Sequence, residues 1–183
     1  LLVINDDRVQ AGQGFGAHPH QDMEIFSYIL SGTLAHKDSM GNKSSIHAGD
    51  VQMMSAGTGV RHSEFNPSLT ETVHFFLFLV VPQIRGIKPR YQQKHFNAAQ
   101  KRGQFCPIIK QNQSDCLDIN QHFALYAGLF NGDEHATYTI PENRYTYLHV
   151  ARGTVQVNGQ PLSAGDGVRI RESGRLNFSQ GKD

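Results

Sequence analysis

One pattern occurs twice in this chain and limits its possible folds more than any other feature. Tyr28-Ile29-Leu30-Ser31-Gly32-Thr33 leads on to Ala48-Gly49-Asp50-Val51, and Leu148-His149-Val150-Ala151-Arg152-Gly153-Thr154 leads on to Ala164-Gly165-Asp166-Gly167. Each copy reads as a strand, a Gly-Thr step, a hairpin, an Ala-Gly-Asp step and a further strand. The two marker glycines are 17 positions apart in the first copy (Gly32 and Gly49) and 12 in the second (Gly153 and Gly165). A hairpin tip absorbs such a difference at little entropic cost. Two similar β-units are therefore expected.

The rest of the chain supports an all-β reading. Eighteen glycines punctuate short β-branched and aromatic runs, and long stretches of helical period are scarce. Runs 24–30, 51–54, 73–81, 125–130, 145–150 and 154–157 read as strands, with turns at Met40-Gly41-Asn42 and Asn158-Gly159. Pro82 to Gly103 is polar and carries Pro89, so it reads as a connector with a short helix near Phe96–Lys101. The expected organisation is a first unit over 1–85, a connector and start of the second unit over 86–120, and a second unit over 121–183 that is cut short.

Composition excludes several functions. Lys+Arg number 17 against 16 Asp+Glu, a net charge of +1, and the loose basic group Lys88, Arg90, Lys94, Lys101 and Arg102 reads as a solvated face rather than a nucleic-acid footprint. The longest apolar run, Phe75 to Val81, has seven residues, against the roughly 20 of a membrane-spanning helix. Cys106 and Cys116 lie outside any CxxC spacing, which suits a reduced, cytoplasmic protein better than a disulfide scaffold. No secretory leader is visible, although the chain opens on Leu1, and a segment ahead of it would be the place for one.

Chemistry concentrates in two short motifs. His18-Pro19-His20 puts two imidazoles two residues apart, on one face if the segment is extended. His62-Ser63-Glu64 repeats the spacing with a nitrogen and an oxygen donor. Three imidazoles and a carboxylate suit a catalytic divalent metal with open positions, whereas closed structural zinc sites favour thiolates. His36, His47, His74, His95, His122, His135 and His149 lack such companions and read as surface or hydrogen-bonded residues, with His74 the best outside candidate for lining a cavity. Phe26 and Tyr28, at the parity of the histidines, are candidates for the cavity wall or, more commonly for strand aromatics, for core.

Gly12, His18, His20, Glu24 and Gly32 together resemble the first cupin motif, with seven residues between Glu24 and Gly32 where six are usual, and Gly59, His62 and Asn66 resemble the second. The wording HPHQDMEI, HKDSMGN, MSAGTGVRHSEFNPS and RGIKPRYQQKHF is similar to the pirin branch of the cupins. That resemblance implies two tandem cupin, jelly-roll-type β-barrels with the metal in the N-terminal one only, and His18, His20, His62 and Glu64 as its ligands. Many cupins use the glutamate of the first motif instead, so Glu24 is the alternative ligand, or else a group that orients a ligand or a water. Counting from Gly153 and Gly165, the second copy carries Thr139, Pro141, Tyr145, Phe178 and Gln180 where the first has His18, His20, Glu24, His62 and Glu64, so a metal-free second barrel is expected.

The resemblance implies two classes of function. One is a quercetin 2,3-dioxygenase-like oxidoreductase, in which a small aromatic or polyphenol substrate meets dioxygen at one divalent metal, iron(II) or another transition ion, with Glu64 as the catalytic base. The other is a non-enzymatic iron-dependent redox sensor or transcription cofactor that binds a protein partner. The enzyme is the favoured expectation.

Overall fold

The protein, described here over residues 1–182 by a computed structural model, forms two compact units. The first comprises Leu1–Asn97 and Pro107–Leu125; the second comprises Ala98–Cys106 and the chain from Tyr126 onward. The expected strand-rich architecture is present, and among the described residues the one α-helix is α1 (Ala98–Lys101), inside the span expected to be helical. No helix among the described residues is long and apolar enough to cross a membrane.

The first unit runs through β1 (Val3–Val9), β2 (Gly14–His20), β3 (Glu24–Ser31), β4 (Thr33–Asp38), β5 (Lys43–His47), β6 (Asp50–Ser55), β7 (Val60–Phe65), β8 (Val73–Val80) and β9 (Arg90–His95). They form two antiparallel sheets, ordered β1-β8-β3-β6-β9 and β2-β7-β4-β5. Side chains of both sheets meet in shared cores. Ile29, Leu34, Ile46, Val73 and Phe75 form one cluster, and Ile25, Met54, Ala56 and Val60 another. Burying each large side chain contributes about 1.5–3 kcal/mol, so these clusters hold the two sheets face to face.

β10 (Cys106–Lys110) and β11 (Ala124–Ala127) follow, and the second unit continues with β12 (Ala136–Ile140), β13 (Thr146–His149), β14 (Thr154–Val157), β15 (Gln160–Ser163), β16 (Gly167–Ile170) and β17 (Gly174–Lys182). Its four-stranded sheet, β12-β17-β14-β15, has the order of β2-β7-β4-β5, and β13 pairs with β16 as β3 pairs with β6. The repeat extends to single bonds. Asp50 Oδ2 accepts from His47 N at 2.9 Å, and Asp166 Oδ2 from Ser163 N at 2.8 Å. Gly49 N donates to Ile29 O and Gly165 N to Val150 O, both at 2.9 Å, with φ of 88° and 92° that favour glycine. The Ala-Gly-Asp step is thus a turn whose aspartate caps the preceding strand.

One sequence expectation needs correcting here. The polar segment 82–103 contains a full strand, β9, paired along β6. Its period-2 signal lies in hydrogen-bond targets rather than in hydrophobicity. Arg90 and Gln92 donate to Asp118 O at 2.6 and 2.8 Å and Lys94 to Asp115 O, all on one face. Tyr91 donates to Gln52 and Gln93, and Gln93 to Ser45 O, on the other.

Candidate metal centre

The site lies between the two sheets of the first unit. β2 runs antiparallel to β7 with His18 opposite His62, and alternation carries His20 to the same face. The rings of His18, His20 and His62 converge with centroids 4.4 to 5.1 Å apart. One ring nitrogen of each lies within 4.8 Å of those of the other two. His18 and His20 are half-buried, whereas His62 is 2% exposed, so the pair on β2 lines the entrance and His62 the interior. His18 Nδ1 donates to Gly16 O at 2.8 Å, which leaves its Nε2 carrying the lone pair.

Glu64 is four residues from Val60 along β7 and points to the same interior face. Its oxygen groups within 4.8 Å with nitrogens of His62 and His36, a second donor set that shares His62 with the first. Gln52 of β6 donates to Glu64 Oε1. Burial pushes the Glu64 carboxyl up to about 7, against the lowering effect of the Gln52 hydrogen bond. Burial, followed by the neighbouring imidazoles His18, His20 and His36, drives His62 down to about 3, and burial also lowers His20. His20 and His62 are therefore neutral at ordinary pH, the state in which imidazole binds metals.

Both ring nitrogens of His62 are buried without a hydrogen-bond partner. Native interiors rarely leave buried polar atoms unpaired, and an ion held by converging imidazole nitrogens and a carboxylate would take the lone pair of one of them. The donor set is nitrogen and oxygen without thiolate, suited to zinc, iron, copper or nickel. The residues present fit a divalent transition metal.

Two sequence expectations change, those for Glu24 and His36. β2 and β3 belong to different sheets, and residues 21–23, with Asp22 at φ 48°, lie between them. Parity counted from His18 into β3 therefore fails. Glu24 faces away from the histidines, accepting from Ser55 Oγ at 2.9 Å and Asn120 N at 3.2 Å. Phe26 shares that outer face, stacked on Phe78 at 4.7 Å and near Phe123, and Tyr28 follows at the same parity; Phe26 is core, the commoner expectation for a strand aromatic. His74 is bonded to Asp6 at 2.6 Å, also outside. His36, expected as a surface or hydrogen-bonded residue, is hydrogen-bonded to Asp38 but lies in the interior, 3% exposed, its ring stacked on Tyr91 at 4.9 Å. His36-x-Asp38 on β4 has the same two-residue spacing as the other motifs, which was the signal available for it.

Strand register also corrects the counting in the second unit. Gly32-Thr33 and Gly153-Thr154 align β4 with β14, which sets Val157 in the place of His36. Glu64 lies opposite His36, and Phe178 opposite Val157. Two residues back, His62 corresponds to Leu176; His18 lies opposite His62 and Tyr138 opposite Leu176, so Ile140 takes the place of His20. Ile140, Val157, Leu176 and Phe178 are the buried apolar core of the second unit, with Tyr138 packed against them. The same positions that bear polar donors in one unit bear packing residues in the other.

Comparison with known proteins agrees with this architecture. The chain matches the family described as Pirin over residues 2–79 and the quercetinase C-terminal cupin domain over residues 108–183. It is 43% identical over 183 residues to a quercetin 2,3-dioxygenase of Escherichia coli strain K12, spanning 100% of this chain and 78% of that protein. The crystal structure of YhhW from Escherichia coli matches with a TM-score of 0.90 at 41% identity, over 97% of this chain and 75% of that one. The structure of the bacterial pirin YhhW in complex with nickel(II) matches with a TM-score of 0.89 at 40% identity, over 97% and 76%. With two tandem cupin units and these relatives, the chain belongs to the pirin family.

Proposed function

We propose that this protein is a metal-dependent dioxygenase that cleaves a flavonol such as quercetin, with one divalent metal held by His18, His20, His62 and Glu64. The observation that carries this reading is the convergence of the His18, His20 and His62 rings, with His62 shared with the buried carboxyl of Glu64 two residues along the same strand. The quercetin 2,3-dioxygenase name of the Escherichia coli relative supports the substrate class, and the nickel(II) complex of YhhW supports a divalent ion. Iron(II) is the ion proposed for dioxygen chemistry.

When bound, the metal supplies Lewis-acid polarisation of a coordinated substrate oxygen and a partner for dioxygen. The protein's residues do the rest. His18 and His20, half-buried at the entrance, leave the approach for a planar substrate on their side. Glu64 takes the proton of the flavonol 3-hydroxyl, as the buried carboxylate beside the three histidines. Gln52, on Oε1, holds the carboxylate in one orientation and leaves Oε2 to receive the proton. Tyr91, itself pushed up to about 12 by burial and donating to Gln52, keeps the Gln52 amide oriented towards Glu64.

The test is metal content on the purified chain, followed by oxygen uptake with quercetin in the iron(II)-loaded protein. The reading expects close to one metal per chain, loss of metal in His62→Ala and Glu64→Ala, and uptake that depends on quercetin. Metal that binds without polyphenol-driven uptake rules out the dioxygenase and leaves a sensor or binding protein; a wild-type chain that takes up no metal on reconstitution rules out the centre itself.

A further inference from the structure

His36 stands outside the proposed ligand set but is built like a metal ligand. Its Nε2 donates to Asp38 Oδ2 at 3.0 Å, with both side chains wholly shielded from solvent. Asp38 is itself locked in place, accepting from Met40 N at 2.9 Å, Asn42 N at 3.0 Å and Asn42 Nδ2 at 2.8 Å. A carboxylate that accepts from one ring nitrogen fixes the tautomer and leaves the other nitrogen with its lone pair, which is how metal-bound histidines are usually oriented. That other nitrogen, His36 Nδ1, is buried with no hydrogen-bond partner.

Two further observations point the same way. Donor atoms of His36, His62 and Glu64 lie within 4.8 Å of one another, and all three residues are buried. Bonds of about 2.1 Å around a four-coordinate ion place donors about 3.4 Å apart, so small side-chain rotations close the set. In the second unit, moreover, the His36 position changes together with the others. Val157 stands there, in one apolar core with the residues that replace His20, His62 and Glu64. A residue present only to fill the interior would not need to be a histidine on one side of the repeat and a valine on the other.

We infer that the centre has a second, inner metal position formed by His36, His62 and Glu64. It shares His62 with the outer group of His18, His20 and His62, so an ion occupies one position or the other. Two imidazoles and a carboxylate suit a divalent transition ion such as zinc or cobalt. The inner position goes beyond the four-ligand reading and does not depend on the substrate.

The experiment uses the full chain, stripped with a chelator and carrying His18→Ala and His20→Ala, titrated with cobalt(II). Binding is followed by visible absorption and by hyperfine-shifted proton resonances. The inner position predicts one equivalent bound, about 10–100-fold more weakly than in the wild type. It also predicts two slowly exchanging, shifted ring N–H signals, one from His62 and one from His36 held by Asp38. Addition of His36→Gln removes one signal and weakens binding at least tenfold. No binding up to millimolar cobalt(II), a single shifted N–H, or binding indifferent to His36→Gln each overturns the inference. The signal count needs no substitution at His36, so a poorly folded His36 variant does not obscure the result. The single His18→Ala variant separately tests the four-ligand set, which expects it to weaken binding at least tenfold while His36→Gln alone leaves wild-type affinity within about threefold.

Discussion

Gln52 on β6 donates its side-chain amide to Oε1 of Glu64 on β7, across the interior between the two sheets, with both residues buried. The bond favours the ionised carboxylate against the burial that disfavours it. A hydrogen bond to a charged acceptor contributes about 1.5–3 kcal/mol, which is about 1–2 pH units. Replacing Gln52 with Leu should therefore move the pH midpoint of nickel(II) or cobalt(II) binding upward by about that amount, while affinity well above the new midpoint recovers towards wild type. Binding isotherms between pH 5 and 9 measure it. An unmoved midpoint would show that Glu64 does not need to ionise for the metal to bind.

The metal-free protein should carry a cost at Glu64 that grows with pH. The folded-state proton affinity of Glu64 is raised, from 4.5 to about 7, so its favourable contribution is complete below about pH 4.5 and is lost as pH rises to about 7. The size of the loss is roughly 3 kcal/mol. His62 is shifted the other way, to about 3; its contribution is present above 6.5 and falls away towards acid. Both chains of a Glu64→Gln comparison contain His62, so its effect cancels in the difference. Urea unfolding of the chelator-treated proteins at pH 5 and 7.5 should show the variant gaining on the wild type by a few kcal/mol across that interval. A constant difference would remove the raised Glu64 carboxyl from the account.

The repeat and the three-histidine group were legible because each depends on local spacing. Gly-Thr and Ala-Gly-Asp mark turns with specific backbone demands, and His-x-His or His-x-Glu lands on one face of any strand. Contacts across strands were not legible in the same way. Glu24 follows His20 by four residues, yet the turn at Asp22 moves the chain into the other sheet, so the parity count breaks between them. Gln52 and Tyr91 reach the site from β6 and β9, and nothing in their own neighbourhoods signals it. β9 escaped notice because its alternation is written in hydrogen-bond partners. Equal counting from the glycines is off by one residue on β12 and by two on β17, because the connections differ in length: His62 follows Gly49 by 13 positions and Leu176 follows Gly165 by 11, whereas His18 precedes Gly32 by 14 and Tyr138 precedes Gly153 by 15.

Gly14 should be as important for the metal centre as a ligand. A Cβ there would stand 2.3 Å from Glu64 O and 2.5 Å from Phe65 Cα, both main-chain atoms of β7. Gly14→Ala must therefore push β2 away from β7, and with it His18 and His20 away from His62. At Gly16, two residues on, a Cβ meets nothing within 4 Å. The expected outcome is at least a tenfold loss of metal affinity and about 2–4 kcal/mol of stability for Gly14→Ala, against changes within about 0.5 kcal/mol for Gly16→Ala. Calorimetric metal titration and thermal unfolding of the two variants measure this; equal behaviour of the pair would mean that strand spacing does not control the centre.

Glu24 provides the opposite test, a buried carboxyl beside the same motif that should leave the metal untouched. Burial raises its proton affinity, while hydrogen bonds from Asn120 N and Ser55 Oγ, and the charge of Arg90, work against that rise. Both hydrogen bonds end on Oε2. A glutamine oxygen can accept both, so Glu24→Gln removes a desolvated charge and keeps its partners, and stability at pH 7 should change by less than about 1 kcal/mol. Glu24→Leu strands two buried donors at about 1–3 kcal/mol each and should destabilise the first unit accordingly. In both variants the folded protein should bind metal within about threefold of wild type, because the side chain lies on the other face of β3 and shares no partner with the histidines. Equilibrium dialysis with nickel(II) decides the matter: a tenfold loss in Glu24→Gln would make the glutamate of the first motif a ligand after all, and would return Glu64 to the role of a buried acid held by Gln52.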